Sequence, residues 1–217
     1  MSGKTDLVEY YAKRANEYES IYQKPERQKD LASLRNLFQR ALAGHDVLEI
    51  ACGTGYWTQI VSPAAKSVTA TDINEEVLQI ARSKSYGGKV IFEKADAFNL
   101  SLSHQNVFTA GLAAAWWSHL RKAQIGGFLS RFHRLFPSGS TIVFMDNRFV
   151  PGSNTPITRT DDEGNTYQLR KLENGSEYEV LKNFPSEKEV RGLIADSAAE
   201  IFWTELQYYW LLTYKLK

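Results

Sequence analysis

The chain has 217 residues, 43% of them hydrophobic, with 26 lysines and arginines against 25 aspartates and glutamates. This length supports one well-filled core and is too short for two comfortable domains. The balanced charge gives no electrostatic footprint for nucleic acid or for an anionic membrane. The single cysteine, Cys52, excludes an internal disulfide and fits a reducing compartment. With no leader-like apolar segment and no run of 18 apolar residues, we expect a cytoplasmic protein without membrane contact.

The predicted elements begin with two helices and continue as an alternating series of strands and helices. The helices are predicted at 7–22, 26–43, 56–62, 74–84 and 121–135, and the strands at 46–50, 67–71, 89–93, 106–112 and 140–146. Alternation of this kind predicts a parallel sheet with helices on both faces.

The pattern changes after Val150, where loops rich in proline, glycine and acidic residues begin. Two strands flank Asn174-Gly175, a strong hairpin signal. Ser186 and Glu189 form the capping-box pattern of a helix. The remaining strands are expected at 199–204 and 207–216. We therefore predict one domain over 1–217, with a helical cap (1–43), a core (44–150), a hairpin insertion (151–185) and a terminal helix and strands (186–217).

The segment between the first two strands predicts a nucleoside-binding crevice. Gly53 and Gly55 follow the first strand and let the backbone turn sharply and approach a ligand closely. Asp72, at the end of the second strand, can accept both hydroxyls of a ribose. The alternative for Asp72 is an ordinary turn or N-cap aspartate at a strand end.

Three residues favour S-adenosylmethionine (SAM) over NAD as the ligand of this crevice. A dinucleotide site wants a third glycine where Thr58 stands, and Trp57 is too bulky to welcome a pyrophosphate. Glu49, inside the first strand, suits a sulfonium or ammonium charge and disfavours phosphate. The alternative for Glu49 is a buried strand acid with a neighbouring partner.

These positions carry a resemblance to a known family. The pattern Glu49-x-Ala51-Cys52-Gly53-Thr54-Gly55, with Asp72 and Asp96-Ala97-Phe98, resembles class I SAM-dependent methyltransferases. The segments Tyr10–Glu19, Gly53–Thr58 and Trp116-x-x-His119 are similar to the small O-methyltransferases typified by a phosphonate methyltransferase of antibiotic biosynthesis. The resemblance implies a Rossmann-like α/β fold: a seven-stranded, mostly parallel sheet with an antiparallel last strand, helices on both faces, and a cap of N-terminal helices and an inserted β-hairpin. Ala51 replaces the family's first glycine, so we expect this residue to avoid positive φ.

The resemblance also assigns residues to the cofactor. Asp96 would hold the adenine amine, although a loop acid is the alternative. Arg14, in an N-terminal motif that closes over the cofactor, could pair with the methionine carboxylate or be a solvated helix arginine. Trp57 walls the pocket or packs against the sheet. The predicted cofactor-binding set is Tyr11, Arg14, Glu49, Ala51, Gly53, Gly55, Trp57, Asp72, Ile73, Asp96, Ala97 and Phe98.

His119 is the predicted catalytic residue, because it follows the fourth strand where an acceptor would meet the sulfonium. It could remove a proton from a hydroxyl, or it could be a histidine hydrogen-bonded to backbone near the next helix. Most aromatic residues are explained by core packing. The candidates for the substrate chamber instead are Tyr10, Tyr11, Tyr18, Tyr22, Trp116 and Trp117, of which Tyr18, Tyr22 and Trp116 are predicted to bind the substrate.

Arg170 and Lys182 match basic positions of the phosphonate-methylating relatives. A two-residue turn would pair Arg170 with Glu179 and turn Lys182 to the opposite face. A three-residue loop with Gly175 in a left-handed bulge would bring Arg170, Tyr178 and Lys182 to one face, as a site for an anionic substrate. A surface Arg–Glu pair is the alternative.

The function predicted from these observations is SAM-dependent methylation of a small molecule at oxygen, with S-adenosylhomocysteine (SAH) as product. Methylation at nitrogen, carbon or sulfur, and a non-catalytic SAM-binding module, remain open; a dehydrogenase is disfavoured by Thr58 and Glu49. The chain has no paired His or Cys spacing typical of a metal site, so no metal is expected. A monomer or homodimer without nucleic-acid or membrane partners is expected.

Overall fold

A computed structural model describes residues 7–102 and 107–217. Short 3-10 helices cover Ala15–Tyr22, Pro25–Arg27 and Trp117–His119. The α-helices are α1 (Leu7–Lys13), α2 (Gln28–Ala41), α3 (Tyr56–Val61), α4 (Glu75–Arg82), α5 (Lys122–His133) and α6 (Glu187–Ile194). The strands are β1 (Asp46–Ile50), β2 (Ser67–Asp72), β3 (Val90–Lys94), β4 (Ala110–Ala114), β5 (Thr141–Asn147), β6 (Arg159–Thr160), β7 (Thr166–Lys171), β8 (Glu177–Leu181), β9 (Ala198–Glu205) and β10 (Tyr209–Leu216).

In the described part of the chain, the main sheet has seven strands in the order β3-β2-β1-β4-β5-β10-β9. Strands β1 to β5 pair in parallel, and β10 runs antiparallel to both of its neighbours, β5 and β9. The predicted Rossmann-like sheet with an antiparallel last strand is therefore confirmed. The strand order reverses between β1 and β4. Open α/β sheets bind ligands at the carboxyl ends of the strands at such a switch point.

Both faces of β1 are covered, which explains its nearly continuous apolar sequence. Leu48 and Ile50 pack into a cluster with the aromatic residues of α5 and with α6. Val47 packs on the opposite face against α2 and α3. Glu49 lies on the same face as Val47, because side chains alternate along a strand, and it is the one acid among these buried positions. Within the described residues, none of the helices combines the length and apolar character needed to span a bilayer.

The cap contains a second sheet of three strands, in the order β6-β7-β8. Its hairpin pairs Lys171 with Glu177, and Gly175 has φ 86°. The loop is therefore the three-residue form, Glu173-Asn174-Gly175, and the alternative two-residue turn is wrong. The short strand β6 was not predicted.

Two predicted elements differ from those observed by more than two residues at one end or in their type. The predicted helix at 7–22 is α1 followed by a 3-10 helix, with Arg14 joining them at φ −84° and ψ −6°. The strand predicted at 106–112 is Ala110–Ala114, and residue 106 lies outside the described residues. The prediction followed the β-forming side chains of Val107, Phe108 and Thr109, whereas pairing with β1 begins only at Ala110. The capping box of α6 is confirmed, with Ser186 and Glu189 as its members.

Candidate active site

A cavity of about 350 Å³ opens at the carboxyl ends of β1, β2 and β4, beneath α1 and the cap. This volume lies within the range of small-molecule sites. Eleven predicted site residues line it: Tyr11, Tyr18, Ala51, Gly53, Asp72, Ile73, Asp96, Ala97, Phe98, Trp116 and His119. The predicted residues that do not line it are Arg14, Tyr22, Glu49, Gly55, Trp57, Arg170, Tyr178 and Lys182.

The loop after β1 contains three residues at positive φ, namely Ala51 (50°), Gly53 (55°) and Gly55 (79°). The expectation that Ala51 avoids positive φ is wrong. The chain reverses directly at the end of β1, where the Cys52 N–H donates to the Thr71 carbonyl at 2.9 Å. Left-handed backbone costs an alanine roughly 1–2 kcal/mol, so this turn is strained.

The two glycines of the loop have different roles. A Cβ on Gly53 would meet only Tyr18 Cε1, at 4.0 Å, so this glycine leaves the cavity wall open to close approach. A Cβ on Gly55 would lie 2.5 Å from the Tyr86 hydroxyl oxygen and 3.1 Å from the Ala81 Cβ. Gly55 is thus required by packing against α4.

Asp72 holds the loop and faces the cavity at the same time. Its Oδ2 accepts the Gly53 N–H and its Oδ1 accepts the Asn74 N–H, both at 2.9 Å. Burial raises the pKa of Asp72, and these backbone N–H groups oppose that shift. A carboxylate offers about four lone-pair positions, so capacity remains for ligand hydroxyls. The two interpretations of Asp72, turn residue and ribose acceptor, are compatible.

The opposite wall is formed by the turn after β3. Asp96 is exposed on the cavity, and its Oδ1 accepts the Phe98 N–H at 2.8 Å. The Phe98 ring lies edge-on to Trp116, with centroids 5.8 Å apart. This pair provides apolar surface beside an acidic acceptor, which suits a flat nitrogen heterocycle.

Glu49 is placed beneath the loop and not on the cavity wall. Its carboxyl is 1% exposed and accepts the Thr58 hydroxyl at 2.6 Å. Burial raises the pKa of Glu49 to about 8, so the group is largely protonated at neutral pH. Trp57 also stays out of the cavity and packs edge-on to Phe38 at 4.7 Å.

Three further predicted residues, Arg14, Tyr22 and Tyr178, lie in the cap and outside the cavity wall. Arg14 is half-buried over the ring of Tyr18, 5.3 Å from its centroid. Tyr22 is buried and stacks on Tyr56 at 3.8 Å. The Tyr178 hydroxyl accepts a hydrogen bond from the Lys13 ammonium at 2.9 Å.

His119 is buried with both ring nitrogens engaged. Nδ1 lies 2.7 Å from the Leu181 carbonyl oxygen, and Nε2 lies 2.7 Å from the Tyr11 hydroxyl. Because a carbonyl only accepts, Nδ1 carries the proton, and Nε2 accepts from Tyr11. Burial, then the charges of Lys182 and Arg170, hold the pKa of His119 well below its usual value. The site therefore contains a neutral imidazole with its lone pair directed at Tyr11.

Arg170 lies opposite Tyr178 across the hairpin, on the same face as Lys182. Among the described residues Arg170 forms no ion pair, and its guanidinium donates to Gln168 Oε1 at 2.8 Å. The alternative of a surface Arg170–Glu179 pair is wrong, because Glu179 pairs with Arg159.

Lys182 is buried beneath that face and directed away from the cavity wall. Its ammonium forms an ion pair with Asp146 at 3.0 Å and donates to Ser118 Oγ at 2.6 Å.

Sequence reasoning missed several cavity residues. Ala115 ends β4 at φ 58°, and nothing about an alanine indicates this conformation. Arg121 is the one fixed cation among the described lining residues, and Tyr167 reaches the cavity from the cap sheet. Asp146 is buried and does not line the cavity, but its pairing with Lys182 was also missed. Its place near the carboxyl end of β5 is the signal that could have drawn attention to it.

Comparison with known proteins agrees with this architecture. The family described as "Methyltransferase domain" matches residues 47–139. Malonyl-[acyl-carrier protein] O-methyltransferase of Pectobacterium atrosepticum is 28% identical over 104 residues, which are 48% of this chain and 39% of that protein. The chain thus spans well under half the length of the curated relatives it matches.

Two solved structures of DhpI are similar over nearly the whole chain. The complex of DhpI with SAH has 26% identity and a TM-score of 0.76, covering 96% of this chain and 94% of that chain. The complex with SAM and HEP has 24% identity and a TM-score of 0.77, covering 95% and 94%, and shows the fold alone. The strand order, the cavity at the switch point and these similarities show that the chain has the fold of methyltransferases solved with SAM or SAH, and that residues 47–139 resemble a methyltransferase domain.

Proposed function

We propose that this chain transfers the methyl group of SAM to an oxygen atom of a small molecule. The observation that carries the proposal is the neutral His119 at the cavity, held with Nε2 as a hydrogen-bond acceptor. A group of this kind can take the proton that a hydroxyl loses during methylation. The acceptor hydroxyl would replace the Tyr11 hydroxyl at Nε2.

The other end of the cavity fits the nucleoside part of SAM. Gly53 leaves the wall open, the Asp72 carboxylate retains accepting capacity, and Asp96 borders the apolar pair Phe98 and Trp116. When bound, SAM supplies a methyl group already activated by a sulfonium. The solved complex of DhpI with SAH, the product form of this cofactor, supports the same ligand here.

The protein's own contribution is alignment, water exclusion and proton removal. Tyr11 and Tyr18 cover the cavity from the N-terminal helices, and Trp116 forms an apolar wall beside His119. Because Nδ1 of His119 is fixed by the Leu181 carbonyl, only Nε2 is available to accept a proton. The base thus has one orientation.

The register of the hairpin favours a more specific proposal, namely that the acceptor carries a carboxylate or phosphonate group. The three-residue loop places Arg170 on the face of Tyr178, with no ion pair among the described residues. An arginine can bind such a group with two parallel hydrogen bonds. Lys182 is already neutralised by Asp146, so of these two basic residues Arg170 would bind the anion. Arg170 does not line the cavity and lies beside Tyr11, so it would be reached when the acceptor displaces the Tyr11 hydroxyl. A neutral isostere should then bind far more weakly, and equal binding would contradict this refinement.

The direct test is a library of hydroxyl, carboxyl, amine and thiol compounds, incubated with the protein and SAM while SAH formation is measured. We expect turnover with an oxygen acceptor, and NMR of the product should place the new methyl on oxygen. A methyl on nitrogen, carbon or sulfur would contradict oxygen transfer. Tight SAM binding without SAH formation for any class would indicate a non-catalytic binding module.

A further inference from the structure

The end of β8 is joined to the turn that carries His119 by three hydrogen bonds. Lys182 Nζ donates to Ser118 Oγ at 2.6 Å, and the Asn183 N–H donates to the Ser118 carbonyl at 2.8 Å. His119 Nδ1 donates to the Leu181 carbonyl at 2.7 Å. Leu181, Lys182 and Asn183 of the cap therefore hold Ser118 and His119 of the turn in position.

Asp146 of β5 contacts both the turn that carries His119 and the end of β8. At the end of β5, its Oδ2 accepts the Ser118 N–H at 2.9 Å, while its Oδ1 pairs with Lys182 at 3.0 Å. Asp146 is 0% and Lys182 3% exposed. Removing two charges from water costs several kcal/mol per ion, and apolar residues are often equally stable in such a place. Stability alone is therefore a weak explanation for this pair.

We propose that Lys182, anchored by Asp146, is a positioning residue for His119, which it keeps neutral and oriented with Nε2 toward the cavity. This inference rests on the proposed role of His119 as base. It assigns Lys182 a function different from binding the substrate. The cap sheet then contributes to the reaction without touching the acceptor.

The charges around His119 agree with this role. Lys182, Arg170 and Arg14 all disfavour a second proton on the imidazole. Tyr11 faces Nε2 as a neutral donor, because burial raises the pKa of its hydroxyl. Asp146 opposes the three cations, but it is already paired with Lys182. Burial lowers the pKa of Lys182 to about 8, so the ammonium is mostly charged at neutral pH.

The test is NMR of the protein with 15N-labelled histidine, which needs neither acceptor nor turnover. Comparison with His119→Gln assigns the His119 signals. In the wild-type protein we expect a neutral ring protonated at Nδ1. A ring protonated at Nε2 would overturn the proposal whatever the variants do.

Variants of Lys182 test the charge. Lys182→Met removes it and should raise the titration midpoint of His119 by about one pH unit or more, since a like charge disfavours the protonated ring. Lys182→Arg retains the charge and should keep the midpoint low. Lys215→Met is the control, because Lys215 donates to Thr141 on the far part of β5. An unchanged midpoint in Lys182→Met overturns the proposal. If that variant does not fold, Lys182→Gln, which can still hydrogen-bond to Asp146, decides by the same criterion.

The pH profile of kcat/KM separates this inference from the proposed function. With an acceptor from the library, kcat/KM of Lys182→Met should fall at pH values below the raised midpoint of His119, by about tenfold at one pH unit below that midpoint, and recover above it, because the base is neutral only at higher pH. If the NMR shift occurs but His119→Ala retains full turnover, the positioning of His119 stands and its role as base fails.

Discussion

The two ends of the cavity are built in different ways. At the end formed by Gly53, Asp72 and Asp96, the contacts are made between the ends of neighbouring strands. Asp72, the last residue of β2, accepts the Gly53 N–H of the loop after β1, and its carbonyl accepts the Ala95 N–H of the turn after β3. At the end formed by His119, the contacts come from Tyr11, 108 residues away, and from Leu181, 62 residues away. The first end depends on the parallel sheet alone, whereas the second exists only when the N-terminal helices and the cap sheet are docked.

This difference separates binding from turnover. Damage to the sheet-built end should weaken SAM binding, and damage to the docked end should lower turnover with SAM binding unchanged. Each substitution below should affect one end only, and a mixed result would show that the two ends are coupled.

The largest effect is expected for His119→Ala. If proton removal limits the reaction, turnover should fall about a hundredfold or more, because positioned general bases contribute roughly 10²–10⁴. SAM affinity by calorimetry should barely change. His133→Ala is the control, because His133 is also hydrogen-bonded but lies on α5 against Tyr214. Full turnover in His119→Ala would make this residue structural.

Asp72→Ala should have the next largest effect, on binding. Loss of a charged acceptor for the ribose should cost about 1.5–3 kcal/mol of SAM affinity. Part of this loss would come from the loop, because Asp72 also holds the Gly53 N–H.

Glu75→Ala serves as the control for Asp72→Ala, because Glu75 is a nearby acid paired with Arg82 at the surface. Calorimetry should show the loss in Asp72→Ala alone, with no binding of NAD to the wild-type protein. Tight NAD binding, or unchanged SAM affinity in the variant, would contradict the assignment.

Tyr11→Phe should have a smaller effect, confined to turnover. It removes the hydroxyl that donates to Nε2, a hydrogen bond typically worth about 0.5–1.5 kcal/mol. Unlike damage to the base itself, this removes a competitor for Nε2, so kcat/KM should rise roughly threefold to tenfold. The tautomer of His119 should not change, since the Leu181 carbonyl fixes it. Tyr178→Phe is the matched control, because its hydroxyl contacts Lys13 instead. Equal effects in the two variants would remove the special role of Tyr11.

The smallest effect concerns strain at Ala51. Replacing this alanine by glycine relieves the left-handed conformation, so the free energy of unfolding should rise by up to about 1 kcal/mol. Ala114 lies in β4 and has no positive φ, so Ala114→Gly should lower the free energy of unfolding by about 0.5–1 kcal/mol. Denaturant unfolding of both variants measures the contrast. A loss of stability in Ala51→Gly equal to that in Ala114→Gly would show that the loop carries no strain.

The sequence predicted the sheet-built end far better than the docked end. Asp72 and Gly53 were found because strand ends and glycines are local signals, and parallel strands bring their carboxyl ends together. Ala51 and Ala115 were missed as left-handed residues, because alanine has no preference for that conformation and the surrounding turns impose it. Glu49 was found as an acid near the loop, but its partner Thr58 lies on a helix packed over the strand.

The docked end required information that no local pattern contains. The sequence left two hairpin registers open, and only the three-residue loop puts Arg170 opposite Tyr178. Even that register did not predict that the Lys182 side chain is buried. Its contact with Asp146 depends on how the cap sheet docks against β5, which no local pattern in the sequence indicates. The contact between Tyr11 and His119 likewise depends on packing between distant segments.

The position of β10 has a consequence for how the chain folds during synthesis. Among the described strands β10 (Tyr209–Leu216) is the last in chain order, yet it is an interior strand that lies between β5 and β9. Until it emerges, β5 and β9 have no strand to join them, and unpaired edges favour association with other chains. Completion of the sheet must therefore follow translation of β10, while β1 to β5 can pair earlier. In a nascent chain arrested before Tyr209, the loop after β1 could already be formed while the sheet still lacks β10.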